Sequence, residues 1–227
     1  MRCAPACSAN RPRRRKRPVV LGLTGSIGMG KSTAARMLRR LGVPVHDADA
    51  AVHNLMARGG EAVPAIARAF PDVVVNGAVD RRALGRRVFD DTAALRRLEA
   101  ILHPRARRAA EDFIKRHRRR GTPLVVLDIP LLFEAGSDAL CDAVAVVSAP
   151  RFVQDARVLS RPNMTRERFA RIRRQQMPDA EKRRRADFVV ETGLGKLPTL
   201  RRLRRIVKML RDNPPKTSKS WRARRRA

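Results

Sequence analysis

The sequence predicts an α/β fold, a doubly wound parallel sheet of five strands, and three observations carry that reading. Short apolar runs alternate with longer amphipathic stretches along the 227-residue chain, the pattern of strands covered on both faces by crossover helices. The first apolar run passes directly into a glycine-rich loop, Gly25-Ser26-Ile27-Gly28-Met29-Gly30-Lys31-Ser32, and then into a helical pattern. Several runs end in a carboxylate or hydroxyl: Asp47, Asp128 and Ser148. In such sheets ligands bind beyond the carboxyl ends of the strands.

Each element follows from local pattern. Val19-Val20-Leu21-Gly22-Leu23-Thr24 reads as a strand buried on both faces. After Lys31, Ala34, Ala35, Met37, Leu38 and Leu41 fall on one helical face, and Gly42 then Pro44 end that helix. Pro44-Val45-His46 is a short second strand running into Asp47-Ala48-Asp49. Helices are expected over 50–57, broken by Gly59-Gly60, and over 61–70, with a turn or short extended stretch over 71–79 around Asn76-Gly77. From 80 to about 119 the pattern is mostly helical: Leu84, Val88 and Phe89 recur at helical spacing, as do Leu95, Leu98, Ile101 and Leu102. Pro104 is placed in the first turn of a further helix. The third core strand is 124–128 and the fourth 143–147. Helices over 150–160 and 165–175 are joined by a loop at Arg161-Pro162-Asn163, 187–190 is the fifth strand, and Gly193-Leu194-Gly195 leads into a final helix ending near Asp212.

The loop fills every fixed position of a nucleotide phosphate-binding motif, G-x-x-x-x-G-K-[ST]. Its glycines let backbone N–H groups face phosphate oxygens. Lys31 can reach the β- and γ-phosphates and the Ser32 hydroxyl can ligate Mg²⁺. Strand, loop and helix in that order place a triphosphate at a helix N-terminus, where the dipole and free amides favour anions. Gly25, Gly28, Met29, Gly30, Lys31, Ser32 and Thr33 are therefore the candidate ATP-binding residues. Phosphoryl transfer also needs an acceptor hydroxyl held in line. Asp49, at the end of the second strand, is the carboxylate placed to accept or orient that proton, while Asp47 is read as a helix cap. Asp128 stands where a second Mg²⁺-associated carboxylate belongs, with a turn or capping role as the alternative. Arg157 and Arg161, four apart after the fourth strand, can clamp developing phosphate charge. His103, before Pro104, is a further candidate, with helix-terminal packing as its alternative.

Composition bounds the remaining choices. The chain carries 52 Lys/Arg against 21 Asp/Glu, a net charge of +31. Seven basic residues lie in 1–17 and six in 214–227, with no acid in either, so both ends read as basic, disordered arms. The body keeps a strong positive excess and favours anionic partners. Seven Phe, one Trp and no Tyr argue against a base-stacking platform, so nucleic acid is expected only as non-specific contact by the tails. There is no apolar run long enough to span a bilayer, and the leader lacks the apolar segment of a secretory signal. Three cysteines without paired C-x-x-C spacing make neither a metal site nor a disulfide framework. The expectation is a cytoplasmic enzyme, a monomer or weak homo-oligomer, with ATP and Mg²⁺ as cofactors.

Read together, these motifs resemble the dephospho-CoA kinase family. The resemblance rests on Leu23-Thr24 with the glycine loop and Thr33, Leu41-Gly42-Val43-Pro44 and Asp47-Ala48-Asp49. It continues through Val79-Asp80-Arg81-Arg82-Ala83-Leu84, Val88-Phe89 and Leu98-Glu99-Ala100-Ile101-Leu102-His103-Pro104. Ile129-Pro130-Leu131-Leu132-Phe133-Glu134, Gln154, Arg157, Arg161, Gln176, Lys182 and Ala186-Asp187 complete it. It covers roughly 18–212. The resemblance implies a P-loop kinase that transfers the ATP γ-phosphoryl group to the ribose 3′-hydroxyl of dephospho-CoA, giving coenzyme A and ADP. It implies Asp49 as base or hydroxyl-orienting residue, His103 and Pro104 near substrate, a helical coenzyme-binding subdomain over 80–119, and a lid over about 157–171. Ser26 stands where a second glycine is common, Pro162 where an acid is common, and Glu191-Thr192-Gly193 replaces an Asn-containing turn near the adenine. Competing readings are another P-loop kinase acting on a metabolite or nucleotide, and a nucleotide-regulated nucleic-acid-binding protein.

Overall fold

The computed structural model describes residues 17–89 and 91–215; the arms expected at the two ends lie almost wholly outside them. β1 (Val19–Thr24) runs through the glycine loop into α1 (Lys31–Arg40). β2 (Val45–Asp47), α2 (Ala48–Met56) and α3 (Val63–Ala69) follow. A hairpin of β3 (Val74–Val75) and β4 (Ala78–Val79) precedes α4 (Arg81–Val88) and the long α5 (Thr92–Arg119). Then come β5 (Leu124–Asp128), β6 (Ala143–Ser148), α6 (Arg151–Leu159), α7 (Arg166–Arg174), α8 (Asp179–Arg185), β7 (Phe188–Glu191) and α9 (Lys196–Asp212).

The expected five-stranded sheet forms in the order β2-β5-β1-β6-β7, and every pairing is parallel. The three central strands, β1, β5 and β6, are buried at every residue because each face has its own core. Leu21, Leu23, Val126 and Ala145 enter one cluster with α1 and α9, while Val20, Val125, Leu127 and Val144 enter another with the second half of α5. That two-residue alternation distributes one run over two cores. The parallel register brings the carboxyl ends of β1, β2 and β5 to one edge, with Asp47 opposite Asp128.

A third core stands apart from the sheet. Met56, Ile66, Phe70, Val73, Leu84 and Leu98 pack α2, α3, the hairpin, α4 and the first half of α5 together. It begins before the helical segment 80–119 and leaves the end of α5 to the sheet. Asn76 and Gly77 both take positive φ, 52° and 75°, as a tight turn between antiparallel strands requires. Asp80, Asp91 and Thr165 cap α4, α5 and α7 through their side chains.

Two elements depart from expectation. Pro104 does not begin a helix; it lies inside α5, which runs unbroken for 28 residues. A proline there removes one ladder hydrogen bond and crowds the preceding turn. Arg105 Nη1 donates to the Ile101 carbonyl at 2.7 Å, satisfying a group in that turn. α8 has no counterpart in the sequence reading, because Asp179–Arg185 is charged nearly throughout and buries only Lys182. With no apolar stripe, periodicity has nothing to detect.

One pH dependence arises from the fold itself. The half-buried His46 ring lies 5.3 Å from Phe113, which lies 4.6 Å from His117. Burial lowers the His46 pKa, with Asp47 opposing and Arg116 reinforcing the shift. The folded state thus keeps His46 neutral while the unfolded chain takes up a proton below about pH 6.5. This contribution to stability is complete above that value and declines as pH falls. We expect the Tm to drop between about pH 7 and 5.5, and His46→Phe to show a shallower drop. Superimposable pH profiles for the two proteins would contradict this.

Candidate active site

The shape of the glycine loop is set by its backbone. Gly28 and Gly30 take φ of 79° and 88°, a region costly for other residues. A Cβ on Gly28 would also lie 2.5 Å from Val158 Cγ2. Gly30 is the N-cap of α1, so no side chain caps that helix and its first turn carries no acid. This end of α1 is left to attract an anion. Ser26 is buried within the loop.

The loop lines a cleft of about 730 Å³ with Gly25, Gly28, Gly30, Lys31, Ser32 and Thr33 on its wall. Met29 is turned away: its side chain is buried, its N–H donates to the Ser26 carbonyl, and its own carbonyl accepts the Thr192 hydroxyl at 2.8 Å. A second cavity of about 580 Å³ adjoins the first. Three residues, Lys31, Ser32 and Asp49, line both. They mark the junction where a group held on one side meets a group held on the other.

Asp47 caps α2, accepting the Ala50 N–H at 3.0 Å. That cap turns the chain so that Asp49, in the first helical turn, is exposed at the junction. Asp49 has no hydrogen-bond partner among the described residues, leaving its carboxylate open to an incoming hydroxyl. Asp128, by contrast, is buried, with Oδ1 2.8 Å from Lys31 Nζ. Burial pushes its carboxyl above the ordinary aspartate value and the Lys31 ammonium pulls back only in part. The Lys31 charge is thereby held at the mouth of the loop. The Ser32 hydroxyl and the carboxylates of Asp128 and Asp49 are oxygen donors suited to Mg²⁺. No cluster of three or more His, Cys, Asp or Glu that could hold a metal occurs among the described residues.

Arg157 and Arg161 both line the first cleft. Arg157 donates from Nη1 to Thr192 Oγ1 at 3.0 Å and from Nη2 to the Thr192 carbonyl at 2.8 Å, tying α6 to the turn after β7. Thr192, Gly195, Lys196 and Thr199 also reach the cleft, so the turn borders the nucleotide side despite its altered sequence. Arg171 of α7 lies over the Phe89 ring at 5.4 Å, linking the expected lid to the end of α4. His103 and Pro104 are exposed on α5 and line neither cavity. Ser148, the last residue of β6, also lines neither cavity: its hydroxyl donates to Asp179 Oδ2 at 2.7 Å.

Sequence reading did not single out the second cavity's basic wall, formed by Arg36, Arg39, His53 and Arg81. A signal existed. Ser32, Arg36 and Arg39 follow i, i+4, i+7 along α1, so the stripe that carries the motif serine also carries the two arginines. Their charge suits an acceptor that itself bears phosphate.

The chain is similar to known proteins over most of its length. The family model for dephospho-CoA kinase matches residues 19–195. A dephospho-CoA kinase from Paramagnetospirillum magneticum is 66% identical over 196 residues, covering 86% of this chain and 92% of that protein. One from Novosphingobium aromaticivorans is 56% identical over 200 residues, covering 88% and 98%. The crystal structure of TT1252 from Thermus thermophilus superposes with a TM-score of 0.75 at 42% identity, covering 85% of this chain and 97% of that one.

Proposed function

The chain belongs to the dephospho-CoA kinase family and is an ATP-dependent phosphotransferase, and on that premise we propose how its residues carry the reaction. ATP lies in the larger cleft with its phosphates on the loop, and dephospho-CoA enters from the cavity walled by Arg36, Arg39 and Arg81. The observation that carries this is the junction: Lys31, Ser32 and Asp49 are the residues common to both cavities.

Asp49 takes or orients the proton of the ribose 3′-hydroxyl, aiming its oxygen at the γ-phosphorus. The O–P bond to the acceptor forms as the bond to the β,γ-bridging oxygen breaks, and ADP leaves with that oxygen. Lys31 follows the charge moving onto the bridging and γ-oxygens. It exchanges its contact with Asp128 for the phosphates. Arg157 and Arg161 stand beside the loop to complement the same charge, and 157–171 closes as a lid to exclude water. Mg²⁺, held by the Ser32 hydroxyl with Asp128 nearby, neutralises phosphate charge when bound. The helices over 80–119 hold the rest of the coenzyme. The reaction is placed in the cytoplasm, where ATP is abundant, with the protein a monomer or weak homo-oligomer.

ADP release from ATP and Mg²⁺ should depend on dephospho-CoA, with nucleoside monophosphates and shikimate giving at most about one hundredth of its kcat/KM. Equal turnover of any of them would replace this acceptor assignment.

A further inference from the structure

Lys182 is wholly buried, which lysine almost never is unless paired. Its ammonium lies 2.9 Å from Glu134 Oε1. The same oxygen accepts the Met177 N–H at 2.9 Å. Burial works against the Glu134 carboxylate, and the adjacent Lys182 ammonium and the hydrogen bond from Met177 outweigh it, leaving its pKa below the ordinary glutamate value. Taking an ammonium out of water costs much of what its ion pair returns, so the contact adds little net stability. The question is therefore what it holds in place.

It holds the stretch between α7 and α8. Gln176, next to Met177, accepts the Ile27 N–H through Oε1 at 3.0 Å. From the opposite side Gln154, buried on α6, donates Nε2 to the Ile27 carbonyl at 2.7 Å. The partners dictate each carboxamide's orientation, since a backbone N–H requires the oxygen and a carbonyl requires the NH₂. Ile27 immediately precedes Gly28, where the loop enters its left-handed conformation. Both polar groups of that residue are thus gripped, one by each end of the segment that carries the lid.

We propose that Gln154 and Gln176 are positioning residues that hold the phosphate loop in its anion-binding shape, and that the Glu134–Lys182 pair, with its ammonium buried, sets Gln176 for this task. The proposal rests on the reading of the loop as the ATP site. It makes the carboxyl end of the lid a mechanical neighbour of the phosphate loop. Disturbing the pair then acts on ATP and spares the acceptor cavity, whose walls it does not touch. A pair that merely stabilised the fold would lower the Tm and leave the KM for ATP unchanged.

The test is calorimetric ATP binding and steady-state kinetics, well below each Tm, on the wild type, Gln176→Ala, Lys182→Met and Lys182→Met/Glu134→Gln. We expect Gln176→Ala to raise the KM for ATP roughly tenfold, the worth of one buried hydrogen bond, with the KM for dephospho-CoA within about twofold. Lys182→Met follows the same split. The double variant recovers most of the loss, because the introduced glutamine still accepts the Met177 N–H and no charge is stranded. Should Lys182→Met not fold, Gln176→Ala decides alone. A wild-type KM for ATP in Gln176→Ala, or in a folded Lys182→Met whose Tm has dropped, overturns the positioning role. Absence of ATP binding by the wild type would instead overturn the reading of the loop.

Discussion

Asp49→Asn lowers kcat by about 10²–10⁴-fold and leaves ATP affinity near the wild-type value, the span expected for loss of one positioned acid–base group. The separation follows from where Asp49 sits. It is exposed where the two cavities meet, its carboxylate has no hydrogen-bond partner among the described residues, and it is not part of the glycine loop. Asparagine preserves size and removes the negative charge, so the hydroxyl loses its proton acceptor while the Gly28–Gly30 backbone is untouched. Stability changes little, because Asp47, not Asp49, caps α2. A kcat within a fewfold of wild type would remove Asp49 from the chemistry. A large rise in the KM for ATP would relocate it to the donor site.

Lys31→Ala strikes both binding and rate. We expect kcat to fall roughly 10²–10³-fold, as when one preorganised charge is withdrawn from the transition state, with ATP binding weakened as well. It also destabilises the fold. Asp128 is buried and its ion pair with Lys31, at 2.8 Å, would be gone, leaving a stranded carboxyl at a cost of about 1–3 kcal/mol. Burial already raises the Asp128 pKa, so in the variant this carboxyl moves further toward its protonated form. Lys31→Ala/Asp128→Asn should therefore regain stability and not activity. Thermal melts and kinetics on the pair of variants check this. Equal stability of Lys31→Ala and wild type would show that the Lys31–Asp128 contact contributes nothing to the fold.

The sheet was legible because its physics is local. Val19–Thr24, Leu124–Asp128 and Ala143–Ser148 are short runs without charge up to their last residues, the pattern of a strand buried on both faces. The glycine loop was equally plain, since positive φ at Gly28 and Gly30 demands that residue type. Asp47 was legible as the cap of α2 from its position at the start of that helix, and Asp49 stands exposed two residues further on.

What sequence could not reach was set by distant partners. Met29 belongs to the motif, yet Ala149 donates its N–H to the Met29 thioether and Thr192 takes its carbonyl, partners more than a hundred residues away. α8 exists because Lys182 finds Glu134, a pairing no periodicity encodes. Pro104 was read as a start because proline favours the first turn, while packing of α5 against α2, α3 and α4 carries the helix straight through it. The acceptor wall needed α1 and α4 brought together before Arg36, Arg39 and Arg81 formed one surface.

The most direct test is to incubate the protein with ATP, Mg²⁺ and dephospho-CoA and locate the new phosphate by ³¹P and proton NMR. The account predicts stoichiometric ADP and a phosphomonoester on the ribose 3′-oxygen, with no product from the wild-type concentration of Asp49→Asn in the same time. Phosphate on any other oxygen, or ADP formed at the same rate without dephospho-CoA, would contradict it.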